Sequence, residues 1–65
     1  MSWNYRLIKQ DGTIGLHEVY YTDGKPDACT IDPVEILFEE SDNLEEILWQ
    51  ITRAFKEPIL DMKDF

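Results

Sequence analysis

Two Asp-Gly dipeptides constrain the fold of this chain more than any other feature of its sequence. Asp11-Gly12 follows a run rich in aromatic and β-branched residues at 3–9, and Asp23-Gly24 follows a second such run at 14–22. Asp-Gly between runs of this kind favours a tight type I′ hairpin turn, because both central residues of that turn need positive φ. With a third short run at 27–31, the sequence predicts a three-stranded antiparallel meander.

A single helix is predicted after the meander. Pro33 ends the third strand, because proline cannot donate to a strand ladder and restricts the residue before it. Asp42 or Asn43 can cap a helix that runs to about residue 56, and Pro58 stops it. Five apolar residues of this segment follow helical spacing and predict one amphipathic stripe: Leu44, Ile47, Leu48, Ile51 and Phe55.

The predicted architecture is α+β, in the order β-β-β-α, with residues 1–65 forming a single domain. The helix spans about 42–56 and packs on one face of the three-stranded antiparallel sheet. Residues 34–38 fit a short strand or a connection equally well. The tail at 61–65 is expected to fray.

Two-residue turns fix the expected register of the sheet. Counting outward from the turns pairs Leu7 with Leu16, Tyr5 with Glu18, and Glu18 with Cys29. The face with Tyr5, Leu7 and Leu16 is then the core face under the helix, and Glu18 is its one misfit. Either a basic helix residue reaches this carboxylate or a bulge lies near Glu18, and we favour the bulge.

The opposite face of the sheet is expected to stay open. It mixes aromatic, apolar, basic and short polar side chains, a composition typical of protein interfaces. Six residues of this face are the candidate partner-binding residues: Arg6, Ile8, His17, Val19, Tyr21 and Thr30. On this assignment, truncation of Arg6 or His17 leaves stability nearly unchanged.

The acidic charge is concentrated in the C-terminal half. Residues 1–31 carry three basic and four acidic side chains (3 − 4 = −1), and residues 32–65 carry three and ten (3 − 10 = −7), which gives the net charge of −8. Such a field repels nucleic-acid phosphates and anionic membranes, so the sequence predicts a protein partner or a homodimer and neither a nucleic-acid nor a membrane ligand.

Residue content argues against catalysis and for a reducing compartment. The chain has one His and one Cys, without a metal-ligand spacing or a phosphate-binding loop. His17 and Cys29 fall on opposite faces in the expected register, so we predict no enzyme activity, catalytic residue, metal site or cofactor. One unpaired Cys, with no secretory signal pattern, indicates a cytoplasmic protein.

Several segments resemble a family of short, acidic bacterial proteins that have no assigned activity. The resemblance covers nearly the whole chain and is carried by WNYRLI at 3–8, GLHEVYY at 15–21, the turn at 23–24, the proline at 33, the acidic helix and PILD at 58–61. In that pattern, Trp is more frequent at the position of Cys29. The resemblance implies a compact, independently folding domain and implies nothing about function.

The sequence therefore favours a small, non-catalytic protein-interaction or regulatory module that self-associates or docks through the open sheet face. An acidic inhibitor that mimics nucleic acid and blocks a nucleic-acid-binding protein is the alternative, because the chain is short and half of it is strongly acidic. A domain that reads DNA with its sheet is disfavoured, because the face offers few basic residues.

Overall fold

A computed structural model describes residues 2–35, 37 and 39–65 of the chain. Its elements are β1 (Ser2–Gln10), β2 (Thr13–Thr22), β3 (Lys25–Cys29), α1 (Leu44–Lys56) and β4 (Leu60–Asp61), followed by a 3-10 turn at Met62–Asp64. The strands form one sheet in the order β3-β2-β1-β4. The α+β class with one helix is confirmed.

The number and type of strands differ from the prediction. The sheet has four strands and is mixed, because β4 pairs with β1 in parallel through Ile8 and Lys9. The tail that the sequence predicts to fray therefore supplies an edge strand and a 3-10 turn. Asp61 is the N-cap of this turn, and its Oδ1 accepts a 3.0 Å hydrogen bond from the Lys63 amide. Of the segment at 34–38, residues 36 and 38 lie outside the described residues, and the other three belong to no strand.

Both Asp-Gly dipeptides form the turns that the sequence predicted. Asp11 and Gly12 have φ values of 51° and 80°, and Asp23 and Gly24 have values of 52° and 78°. Positive φ at both central positions is the signature of a type I′ turn. The register of β1 with β2 follows from the first turn as expected, with Leu7 opposite Leu16 and Tyr5 opposite Glu18.

The register of β2 with β3 changes at a bulge. Tyr21 pairs with Pro26 as the second turn dictates, but Tyr20 pairs with Ala28, so Asp27 is the extra residue. Proline in a strand is tolerated at edges and bulges, where no ladder bond is lost. The bulge lies two residues beyond Glu18, and it places Cys29 opposite Val19 instead of Glu18.

Helix α1 begins and ends at the residues that the sequence marks. Asn43 is the N-cap, and its side-chain oxygen accepts a 3.2 Å hydrogen bond from the Glu46 amide. Acidic side chains occupy the first turn and basic side chains the last, which suits the helix dipole. Glu57 is the C-cap, and Pro58 prevents continuation of the helix.

The side of the helix that packs inward is rotated relative to the predicted stripe. Ala54 is fully buried and Ile47 and Ile51 are half-buried, whereas Leu44, Leu48 and Phe55 are more than half exposed. On a helix with 100° per residue, the buried side is centred about 60° from the centre of the predicted stripe. A small residue at the centre of the contact lets α1 lie close to β1.

The two faces of the sheet have exchanged the roles that the sequence predicted. Arg6, Ile8, His17 and Val19, on the face expected to be open, are all buried. The side chains of Tyr5, Leu7 and Leu16, on the expected core face, are only half-buried. Distant segments cover the first of these faces: Pro33 lies over Gly15, where an added Cβ would come within 2.9 Å of its ring.

Replacement of the same residue type on the two faces of β1 and β2 tests this arrangement. Ile8 is fully buried, whereas Ile14 is 51 % exposed. We expect Ile8→Ala to lower the free energy of unfolding by about 2 to 5 kcal/mol, through lost burial and the cavity left behind. Ile14→Ala should cost less than about 1 kcal/mol. Urea unfolding followed by circular dichroism measures both, and equal losses would contradict the assignment of faces.

Candidate functional site

The predicted partner-binding residues form a hydrogen-bonded interior and not an open surface. Ile8 and Val19 are fully buried, His17 is 1 % exposed and Arg6 is 8 % exposed. Tyr21 and Thr30 are half-buried at its margin. Arg6, Ile8, His17 and Val19 share one face of the sheet, as the register of β1 with β2 predicted, and all four are enclosed. Thr30 follows the bulged β3 and meets His17 through its carbonyl oxygen instead of through strand pairing.

Arg6 joins three separate parts of the chain. Its guanidinium donates from Nη1 to the Tyr21 hydroxyl at 3.0 Å and from Nη2 to the Pro58 carbonyl at 2.8 Å. Tyr21 lies on β2, and Pro58 lies in the connection between α1 and β4. Hydrogen bonds that involve a charged donor are stronger than neutral ones, so this side chain fixes the path of the chain after the helix.

His17 ties the central strand to the segment after β3. Its Nδ1 lies 2.9 Å from the Thr30 carbonyl oxygen, and a carbonyl oxygen can only accept, so Nδ1 carries a proton. The Thr30 hydroxyl accepts a 3.3 Å hydrogen bond from the Glu18 amide. These bonds satisfy polar groups that the sequence alone assigned to solvent.

Glu18, the misfit of the sequence prediction, is half-buried on the other face. Its Oε1 accepts a 3.3 Å hydrogen bond from the Tyr20 hydroxyl. Desolvation, followed by the charge and hydrogen bond of Glu18, raises the pKa of Tyr20 above its ordinary value. Since Glu18 keeps contact with solvent, it needs no basic partner from the helix.

Cys29 is a half-buried free thiol that contacts the sulfur of Met62. The bulge turns it onto the same face as His17, which corrects the prediction that the two lie on opposite faces. Its Sγ nevertheless lies 3.6 Å from Met62 Sδ, while the His17 Nδ1 proton is engaged by Thr30. Desolvation by burial raises the pKa of Cys29, which lowers the thiolate fraction at neutral pH.

Three large apolar side chains are exposed on one side of α1. Leu44, Leu48 and Phe55, which we call the helix patch, are 54 %, 64 % and 66 % exposed. Leu37, at 81 % exposed, and half-buried Ile51 line a cleft of about 200 Å³ beside this patch, together with Tyr5 and Leu16 from the sheet. Sequence reasoning missed the patch because it assigned these helix residues to the core.

Trp49 is exposed on a different side of α1. Its ring lies under the Arg53 guanidinium, whose central carbon is 5.3 Å from the ring centroid. At 100° per residue, Trp49 lies about 100° around the axis from Leu48. Trp49 is therefore separate from the helix patch.

The described residues offer no metal centre and no membrane-spanning helix. Among residues 2–35, 37 and 39–65, no group of three or more His, Cys, Asp or Glu side chains could hold a metal ion. Within the same part of the chain, no helix is long and apolar enough to cross a membrane. Comparison of the sequence and structure with protein-family models, curated proteins and solved structures found no match.

Two arginines give a matched test of the buried network. Arg6→Ala removes both hydrogen bonds and leaves their acceptors without this donor, so we expect a loss of about 2 to 3 kcal/mol in the free energy of unfolding. Arg53→Ala, on the exposed helix surface, should cost no more than about 1 kcal/mol from the contact with Trp49. Urea unfolding of both variants measures the difference. A nearly neutral Arg6→Ala would restore the original prediction of an open face.

Alkylation of Cys29 tests whether the C-terminal 3-10 turn covers the sheet. At pH 8 we expect iodoacetamide to react with the native thiol more slowly than with the urea-unfolded chain, because burial both raises the pKa and restricts access. Met62→Ala should speed the native reaction, and Lys63→Ala should leave it unchanged. Mass spectrometry of timed samples gives the rates. Equal rates in the native and unfolded chains would show that Cys29 is not covered.

Proposed function

We propose that this chain is a small, non-catalytic protein-interaction module that docks through one side of α1. The observation that carries the proposal is the contrast between its core and its surface. Among the described residues three hydrophobic side chains are buried, whereas three large apolar side chains of α1 form one exposed patch, and Leu37 lines a cleft with Ile47 and Ile51 of the same helix. Exposed apolar patches of several hundred Å² on small domains typically mark sites of protein contact.

The proposed docking side differs from the sheet face that the sequence favoured. Arg6, Ile8, His17 and Val19 have less than a tenth of their surface accessible, so a partner has little access to them. The helix patch, in contrast, projects from a capped helix that lies against β1 and is anchored after its end by the bond from Arg6 to the Pro58 carbonyl. A rigid helix that presents an apolar stripe is a common way of binding another protein.

Charge supports a protein as the ligand. The net charge of −8 opposes contact with phosphate backbones and anionic membrane surfaces, so we propose neither as a ligand. Because the single Cys has no second Cys in the sequence to form a disulfide with, we propose that the module works in the cytoplasm. The single His and the single Cys are engaged in other contacts, His17 with the Thr30 carbonyl oxygen and Cys29 with the Met62 sulfur. We therefore propose no catalytic role for either side chain.

An acidic mimic of nucleic acid is the second candidate function. It is favoured by the exposed carboxylates that surround the start of α1: Glu39, Glu40, Glu45 and Glu46. A partner bound in this way would carry a basic nucleic-acid site. Its complex would dissociate as salt is raised, because counterions screen exposed charges.

Photochemical cross-linking in the source cell tests the proposed docking side. We expect a photoreactive phenylalanine analogue at position 48 to give one dominant protein adduct, identified by mass spectrometry. The same analogue at position 14, which is exposed on the sheet, is the control and should give none. Failure of position 48 to cross-link any protein, or equal adducts from both positions, would overturn the proposed function. In a cell lysate, an adduct that no longer forms when nucleic acid is added before irradiation would favour the acidic mimic.

A further inference from the structure

We infer that the helix patch is covered by a second copy of the same chain, with the two α1 helices side by side and antiparallel. This inference rests on the proposed function and names its partner. It follows from the spacing, the charge pattern and the area of the patch.

The spacing of the patch is that of a helix–helix seam. Leu44, Leu48, Ile51 and Phe55 are separated by four, three and four residues, which is the alternation of a and d positions in a heptad. Ile47 and Ala54, on the flank toward the sheet, are already packed. The exposed seam lies next to the buried side of α1 and is free to pack against a second helix. An identical antiparallel helix has the same spacing of apolar residues.

The charges along α1 favour the antiparallel direction. Glu45 and Glu46 lie in the first turn, and Arg53 and Lys56 lie in the last. A two-fold axis through the middle of the helix sets the first turn of one copy beside the last turn of the other. Glu45 and Lys56 lie on the same flank of the seam, and antiparallel helices bring equivalent flanks together, so Glu45 faces Lys56 of the second copy.

The same symmetry keeps like charges of the two copies apart. Glu45 lies between four and five residues from the middle of the seam, so the two copies of this residue are separated by about 13 Å along the axis. That distance exceeds the Debye length of about 8 Å at physiological ionic strength. The net charge of −8 on each copy therefore opposes association less than its magnitude suggests.

The exposed area is at the lower limit for a stable dimer. Leu37 and the three residues of the helix patch expose roughly 500 Å² of side chain, estimated from their exposed fractions and typical side-chain areas. Two copies would bury about 1,000 Å² in total, which is the threshold for a specific interface. We therefore expect a reversible dimer with a dissociation constant of roughly 1 to 100 μM.

Sedimentation equilibrium of the full chain tests the dimer and its location. Leu48→Lys places a charge in the seam and should raise the dissociation constant at least about tenfold. Glu46→Lys, two residues before Leu48 and about 160° away around the helix axis, is the matched control and should leave the constant nearly unchanged. Both positions are exposed, and circular dichroism checks that both variants are folded. Equal effects of the two substitutions would overturn the assigned seam.

Charge exchange tests the antiparallel direction. Glu45→Lys alone and Lys56→Glu alone each create two like-charge contacts in a symmetric antiparallel dimer, so each should weaken it. The double variant Glu45→Lys/Lys56→Glu restores both contacts and should recover most of the lost affinity, by at least about threefold over either single variant. Absence of this recovery would overturn the antiparallel arrangement.

Failure of the dimer is distinguishable from failure of the proposed function. A chain that sediments as a monomer at 1 mM overturns the second copy as the occupant. If position 48 then still cross-links to a different protein in the cell, docking through the helix patch stands with that protein as the partner. If position 48 cross-links to nothing, both proposals fall.

Discussion

The buried guanidinium of Arg6 holds together the parts of this fold that are far apart in sequence. Its two hydrogen bonds join β1 to the end of β2 and to the residue that leads from α1 into β4. Both acceptors are uncharged oxygens, so the bonds satisfy Nη1 and Nη2 without neutralising the charge, and the buried Nε has no hydrogen-bond partner among the described residues. Burial of an unpaired cation is costly, and the acidic field of the chain offsets part of that cost over longer range. Placement of the helix and of the edge strand depends on this side chain.

From this constraint follows the division of the surface. With the chain after α1 fixed at Pro58, β4 pairs alongside Ile8, and the 3-10 turn brings Met62 to Cys29. The face that carries Arg6, Ile8, His17 and Val19 is therefore covered by other segments of the same chain. The helix lies against β1 with Ala54 fully buried, and only part of its apolar circumference is covered by this contact. A domain of this size cannot enclose all of its large side chains, and three of those left exposed, Leu44, Leu48 and Phe55, lie on one side of α1.

An exposed apolar side on an otherwise acidic module has a direct physical consequence. Apolar area supplies affinity, and the arrangement of charges around it selects the partner and its direction. On α1 the two are combined in one element, with the apolar stripe along the helix and opposite charges at its ends. The same charges stabilise the helix through its dipole, so fold and recognition draw on the same residues.

The local elements were determined by the sequence itself. Asp11-Gly12 and Asp23-Gly24 fixed two type I′ turns and the register of β1 with β2, because only a few residue types accept positive φ. Asn43 and Pro58 fixed the ends of α1. Tertiary structure alone decided which face of the sheet is buried, since the partners of Arg6 and His17 lie 13 to 52 residues away and no local pattern records them. It also decided the rotation of α1 and the pairing of β4, because both depend on close packing between distant segments. The candidate interface is therefore a property of the fold: the sequence supplied its apolar residues, and the closure of the sheet left them exposed.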